Sequence, residues 1–126
     1  KPVSIKTIAV RYINRLEIPR ALFTDFAEYL TAPPIIPKAL PQGLSSYLIR
    51  IVVPEPTFNA TIIITQALEP LDSMTIIPVL LDIDIFREAE FDSNGKDAWE
   101  TIDKFHDLKN KVFFESITEK MVNLCL

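Results

Sequence analysis

Asp82 and Asp84, two residues apart, are the first side chains in this sequence whose types and spacing could do chemistry. In an extended strand they project from the same face, with Cα atoms about 6.5–7 Å apart. Carboxylates at that spacing could hold one Mg²⁺ or Mn²⁺, with water completing the coordination shell. The alternative is a strand with one wet face, where Leu81, Ile83 and Ile85 point inward and both aspartates face solvent.

The single histidine, His106, is the second candidate. Asp103 precedes it at helical spacing and could orient the imidazole as a general base. A metal-assisted hydrolase or nucleotide-acting enzyme would combine this base with a metal held by Asp82 and Asp84. The alternative is a core histidine whose N–H group is satisfied by a hydrogen bond. The sequence requires no cofactor and contains no complete catalytic motif.

Basic side chains near the N-terminus form a third group. Arg11 and Arg15 share a strand face about 13 Å apart, and with Arg20 they could contact successive phosphates of a nucleic acid. The net charge of −4 argues against that partner, because phosphate binding requires a basic patch. The alternative is pairing within the domain, for example of Arg11 with Asp82 or Asp84.

A polar network is a further interpretation of these positions. Arg11 and Arg15, together with Asn14 and Asp103, could form hydrogen bonds that either fix the fold or bind a partner.

The composition excludes several classes of site. The chain has 126 residues, which favours a single domain, and its 48% hydrophobic and 24% charged residues are typical of a globular protein. Two isolated glycines cannot build a glycine-rich phosphate loop. One His and one Cys cannot form a zinc finger or an internal disulfide. Because no apolar run approaches the roughly 20 residues of a membrane span, we expect a soluble, cytoplasmic domain without a membrane partner.

The elements that must position these residues follow from hydrophobic periodicity and proline placement. We predict strands at 5–18, 46–53, 60–68 and 74–87, a short helix at 20–30 and a long helix at 96–124. Pro78 lies within the fourth strand and predicts an edge position, a bulge or a later strand start. The order β-α-β-β-β-α predicts an α+β fold in which the long C-terminal helix packs on one face of an antiparallel sheet of about four strands.

Helical periodicity places one apolar stripe on the long helix. Its predicted members are Trp99, Ile102, His106, Phe113, Ile117, Met121 and Leu124. Phe114 falls off this stripe; it is predicted either to be core or, if exposed, to mark an interface. The stretch Ser116–Glu119 matches a capping box, so the helix is predicted to break and restart there.

Several short motifs, taken in order, resemble a known family. Arg11-Tyr12-Ile13-Asn14, then Leu81-Asp82-Ile83-Asp84, then His106, Phe113-Phe114 and Ile117-Thr118-Glu119-Lys120 resemble the C-terminal half of a sporadically distributed prokaryotic protein family of unknown function. The resemblance spans about residues 8 to 122. It implies a chain roughly twice this length, and it implies no activity, cofactor or catalytic residue.

The sequence as a whole favours a non-catalytic protein-interaction or self-assembly module. The chain begins Lys1-Pro2-Val3 without an initiator Met, which predicts a C-terminal domain fragment of a longer protein. Its expected partner is another protein or the missing N-terminal half, and a homodimer is possible. The long helix or the strand at 5–18 is expected to supply the contact surface.

Overall fold

Four strands form one antiparallel sheet in the computed structural model, which describes residues 4–71, 74–92 and 95–125. The strands are β1 (Ser4–Pro19), β2 (Leu48–Glu55), β3 (Ala60–Leu68) and β4 (Ile76–Asp92). Their spatial order is β1-β4-β3-β2, so β1 and β2 are the two edge strands of the sheet. The predicted antiparallel α+β architecture is confirmed.

The C-terminal helical pattern folds as two helices, α1 (Lys96–Ser116) and α2 (Glu119–Cys125). The predicted break is confirmed, but its capping residue is Thr118, whose hydroxyl oxygen accepts a hydrogen bond of 3.3 Å from the Met121 N–H. Ser116 still belongs to α1, where its hydroxyl donates to the Val112 carbonyl at 2.7 Å.

The core lies between the sheet and α1, which packs on β1 and β4. Leu81, Ile83 and Ile85 are fully buried, as the period-two pattern of β4 predicts. Asp82 and Asp84 therefore project from the other side of the sheet. No described helix packs on that side, which we call the open face.

The predicted apolar stripe of the long helix is wrong over its first half. The buried side chains of α1 are Ala98, Thr101, Phe105, Leu108 and Phe113. Trp99 is 68% exposed and His106 is exposed, so the buried stripe is offset by one residue from the prediction. Phe105 and Leu108 have no polar atom to satisfy, whereas an indole or imidazole N–H needs a partner when it is buried.

The helix predicted at 20–30 is also wrong. This segment contains two 3₁₀ turns, Arg20–Leu22 and Phe26–Glu28. Asp25 interrupts the helix because its backbone is extended and its carboxylate accepts a hydrogen bond of 3.0 Å from the Ala27 N–H. The predicted spacing arose because Phe26 and Leu30 do bury their side chains against the core.

Pro78 lies in a central strand that begins two residues earlier, at Ile76, and the ladder with β1 is regular around it, so the predicted edge position, bulge and later strand start are all wrong. The last ladder pair between β3 and β4 joins Leu68 to Val79, so β3 has ended where Pro78 begins. The Glu69 N–H still donates to the Pro78 carbonyl at 3.0 Å. Pro78 has no N–H, so the proline costs the sheet one backbone donor at the position where β3 has already ended. This explains how β4 tolerates a proline there.

Candidate protein-interaction site

The two aspartates of β4 lie on the open face, and Asp82 is held by an arginine of the neighbouring strand. Arg11 Nε and Nη2 donate to the two carboxylate oxygens of Asp82 at 3.1 and 2.7 Å. The Asp82 side chain is only 14% exposed, while that of Arg11 is largely exposed. The hydrogen bond to Asp82, and then its negative charge, raises the pKa of Arg11. Arg11 is therefore paired with Asp82 within the domain, which was the alternative to phosphate binding.

The structure does not bring the predicted catalytic residues together. His106 is exposed on α1, on the side of the sheet opposite Asp82 and Asp84, and no hydrogen bond joins it to Asp103 within the described ranges. Across residues 4–71, 74–92 and 95–125, no three His, Cys, Asp or Glu side chains cluster in a way that could hold a metal ion. The requirement that base and metal ligands share one cleft is therefore not met.

We expect divalent metal ions to leave the stability of this protein unchanged, because Arg11 already neutralises Asp82. Thermal unfolding with and without Mg²⁺ or Mn²⁺ checks this, beside the Asp82→Asn/Asp84→Asn variant. An ion present at about 100 times its Kd would stabilise the fold by about 2.7 kcal/mol. A metal-dependent rise in Tm that the double variant loses would contradict the expectation.

The remaining predicted polar residues do not form one network. Arg15 donates from Nε to Glu69 and from Nη1 to Glu17, both at 2.9 Å, on the open face. Asn14 lies on the helix side of β1, and Asp103 is exposed on α1. Since Arg11 and Arg15 engage carboxylates, the open face is not the basic patch that nucleic-acid binding requires.

The outer edge of β1 has no partner among the described strands. The Arg20 N–H donates to the Thr75 carbonyl at 2.8 Å, next to the last ladder pair of β1 and β4. This bond shows which alternate residues of β1 form the hydrogen-bonded pairs with β4. Bonded pairs alternate, so the even-numbered residues from Ile8 to Ile18 direct their backbone groups toward β4. The N–H and C=O groups of Ala9, Arg11, Ile13 and Glu17 point outward.

An apolar groove of about 460 Å³ runs beside this edge, between β1 and the ends of α1 and α2. We call it the β1 groove. Its apolar lining includes Tyr12, Leu16, Phe113, Phe114, Ile117, Met121, Val122 and Leu124. Tyr12 and Phe114 both make edge-to-face contacts with Phe113, at centroid distances of 5.4 and 5.1 Å. Phe114 is nevertheless 55% exposed and Leu124 38% exposed, so the groove leaves large apolar side chains in contact with water.

A second cleft of about 550 Å³ lies under the proline-rich loop, the segment at 31–43 that contains four prolines. Its polar side chains are engaged within the protein. Asp25 accepts from the Ala27 N–H, and the Gln42 amide donates to the carbonyls of Pro37 and Leu40 at 3.0 and 2.9 Å. Because Asp25 holds a 3₁₀ turn and Gln42 holds the loop, these groups are not placed to orient a ligand in the cleft.

The residues of the β1 groove were only partly accessible to sequence reasoning. Phe114 stood out because it falls off the helical stripe, and the structure gives it the exposed placement rather than the core one. Leu124 was assigned to the buried stripe and is exposed instead. The signal that could have found it is its position in the last turn of the helical pattern, as the structure places it in α2.

None of the described helices has the length and apolar character needed to cross a membrane. No protein-family model, curated protein or solved structure matches the chain.

Proposed function

We propose that this chain is a non-catalytic protein-interaction module that binds an extended segment along the outer edge of β1. The observation that carries the proposal is the combination of two features: outward backbone groups without a described strand partner, and the apolar β1 groove immediately beside them. Recognition by strand addition uses these two features together.

Backbone pairing would supply affinity in this mode, and alternate side chains of the bound segment would supply specificity. One set of its side chains would enter the β1 groove next to Tyr12, Phe113 and Phe114. The other set would lie on the open face beside Arg11 and Glu17. We therefore expect a segment with apolar residues at every second position, since those residues would remove the exposed parts of Phe114 and Leu124 from water.

The opposite edge strand, β2, is the weaker candidate. The Leu68 N–H donates to the Tyr47 carbonyl at 3.1 Å, so Leu48, Arg50, Val52 and Pro54 face outward. Pro54 has no N–H to offer, and β2 is eight residues long where β1 has sixteen. A proline and a short length are two ways in which proteins limit pairing at an exposed edge.

Ile13→Pro tests the proposal, because the Ile13 N–H points away from β4. The substitution removes an outward donor and leaves the ladder with β4 intact. We expect a library of displayed ten-residue peptides to yield binders with alternating apolar residues, and we expect Ile13→Pro to abolish their binding. Calorimetry or fluorescence anisotropy measures the binding, and thermal unfolding shows whether the variant remains folded.

Ile13→Thr is the matched control, because it also removes the exposed apolar side chain but keeps the backbone N–H. It should retain most of the affinity for the selected peptides. Two results would refute the proposal: a selection that yields no binders, or binders whose affinity Ile13→Pro leaves unchanged. The second result would move the binding surface away from β1.

A further inference from the structure

We propose that the segment bound at the β1 edge is β1 of a second copy of this chain, so that two sheets join into one continuous sheet of eight strands around a two-fold axis. This inference rests on the proposed function and names the partner. It also fixes a register: Asn14 lies on the axis, directly opposite the partner's Asn14.

Charge complementarity along β1 leaves two registers, this one and one with Leu16 on the axis, where Arg15 lies opposite the partner's Glu17. The second register would pair only residues 13–19, because β1 ends at Pro19, so the longer pairing favours the first. With Asn14 on the axis, Arg11 lies opposite the partner's Glu17, and Glu17 lies opposite the partner's Arg11. Opposite charges directly across a pair of strands stabilise it, and like charges destabilise it. Sliding the pairing by two residues in one direction places Arg11 opposite the partner's Arg15. Sliding it in the other direction places Arg15 opposite the partner's Arg15.

The backbone also fits this register. Arg11, Ile13, Arg15 and Glu17 all direct their backbone groups outward, and each would meet an outward residue of the partner. Pro19, the next outward residue but without an N–H to donate, would lie opposite the partner's Ala9 and mark the end of full pairing. The paired stretch thus ends at Pro19, the first outward residue without a backbone N–H.

On the helix side of the sheet, the edge of one copy is also complementary to the same edge of the second copy. The Asn14 side chain makes no hydrogen bond to the described residues, and an amide can both donate to and accept from a second amide. The β1 grooves of the two copies would face each other across the axis. The exposed parts of Phe114 and Leu124 would then become buried at the contact.

The placement of the helices is compatible with such a contact. α1 packs on both β1 and β4, so it lies beside the edge that would pair. The partner's α1 would lie on the same side of the joined sheet, across the two copies of β1.

A cysteine placed at position 14 tests the register. The two copies of residue 14 would form a non-hydrogen-bonded antiparallel pair, whose Cα atoms lie about 4.5 Å apart. This distance is within the range of about 4.4–6.8 Å that disulfides span. In a Cys125→Ser background, we expect Asn14→Cys to form a covalent dimer under mild oxidation. Ala9→Cys is the control, because it is exposed on the same strand but would lie about 34 Å from its copy along the strand.

A second measurement does not depend on cysteine chemistry. Sedimentation velocity should show a dimer of the unmodified chain, and Glu17→Arg should weaken dimerisation by about tenfold, since it sets two like-charged pairs across the axis. Glu17 is exposed, so the variant should remain folded. Glu100→Arg makes the same change in net charge on the exposed surface of α1 and should leave dimerisation unchanged.

The possible outcomes separate this inference from the proposed function. A chain that stays monomeric, with no covalent dimer from Asn14→Cys, overturns the inference. Selected peptides that bind and lose their affinity with Ile13→Pro would then leave the strand-addition function standing with a different partner. A covalent dimer from Ala9→Cys but not from Asn14→Cys would overturn the register.

Discussion

Phe105→Ala should destabilise this protein by about 3–5 kcal/mol, the usual cost of removing a fully buried aromatic ring. Phe105 has no exposed surface, and it lies between α1 and the sheet, with the Arg87 guanidinium 5.6 Å from its ring centroid. Domains of this size are stable by roughly 5–15 kcal/mol, so the loss would be a large share of the total. Urea unfolding followed by circular dichroism measures it.

Trp99→Ala is the informative control, because hydropathy alone places Trp99 inside and the structure places it 68% exposed. An exposed substitution away from special contacts changes stability by about 0.5 kcal/mol or less. If Trp99→Ala cost more than Phe105→Ala, the helix would be rotated by about 100° from its position in the structure, which is one residue of helical turn. The β1 groove would then have a different lining.

The strands were the most predictable part of the fold. The predicted strand at 60–68 matches β3, and the predicted start at Ile5 differs by one residue from that of β1. Period-two alternation and β-branched residues act within one short stretch of chain, so they can be read without knowledge of the rest. Proline marked the end of β1 at Pro19, but β2 runs through Pro54 to Glu55, two residues beyond its predicted end at 53.

The helical segments were less predictable, because several rotations of a helix satisfy the same apolar spacing. Phe105 and His106 are neighbours, as are Phe113 and Phe114, so a stripe through either member of a pair looks apolar. Packing against the sheet decides between them, and it buried Phe105 rather than His106 and Phe113 rather than Phe114. In the segment at 20–30, the local hydrogen bond of Asp25 outweighed the periodicity.

The candidate site depended on information that no local pattern contains. The sequence offers pairing of Arg11 with Asp82 or Asp84 as one alternative but cannot decide for it, because Arg11 and Asp82 lie 71 residues apart in the chain. That contact depends on β1 pairing with β4 in one register. The same pairing places β4 inside the sheet and leaves β2 as the second edge strand, whereas a meander in chain order would have placed β4 at that edge. The neighbour of β1, and with it the arrangement of the open face, is thus a consequence of strand order.

The proline-rich loop is tied to the sheet by a short chain of hydrogen bonds that the sequence did not predict. The Tyr47 hydroxyl donates to Gln66 Oε1 at 2.9 Å, and the Gln66 amide donates to the Ala32 carbonyl at 3.4 Å. Gln66 is buried, so its carbonyl oxygen depends on Tyr47 for a donor. Tyr47 also makes an edge-to-face contact with Phe26 at a centroid distance of 5.6 Å, which links the loop to the aromatic residues beneath it.

Tyr47→Phe should therefore cost about 1–3 kcal/mol at neutral pH, because it leaves a buried acceptor without its donor. Burial raises the pKa of Tyr47 above its ordinary value of 10. The folded protein then keeps a proton that the unfolded chain loses above about pH 10, so the contribution of Tyr47 is complete below that pH and declines above it, by at most about 1.4 kcal/mol per pH unit. The difference in unfolding free energy between the native chain and Tyr47→Phe should be constant from pH 6 to about 9 and should narrow above about pH 10.

Urea unfolding across this range measures the difference, with Tyr12→Phe as the control, since the Tyr12 hydroxyl makes no hydrogen bond to the described residues. A difference that widens at high pH would mean that the folded protein favours ionised Tyr47, which is incompatible with a hydroxyl that donates to Gln66.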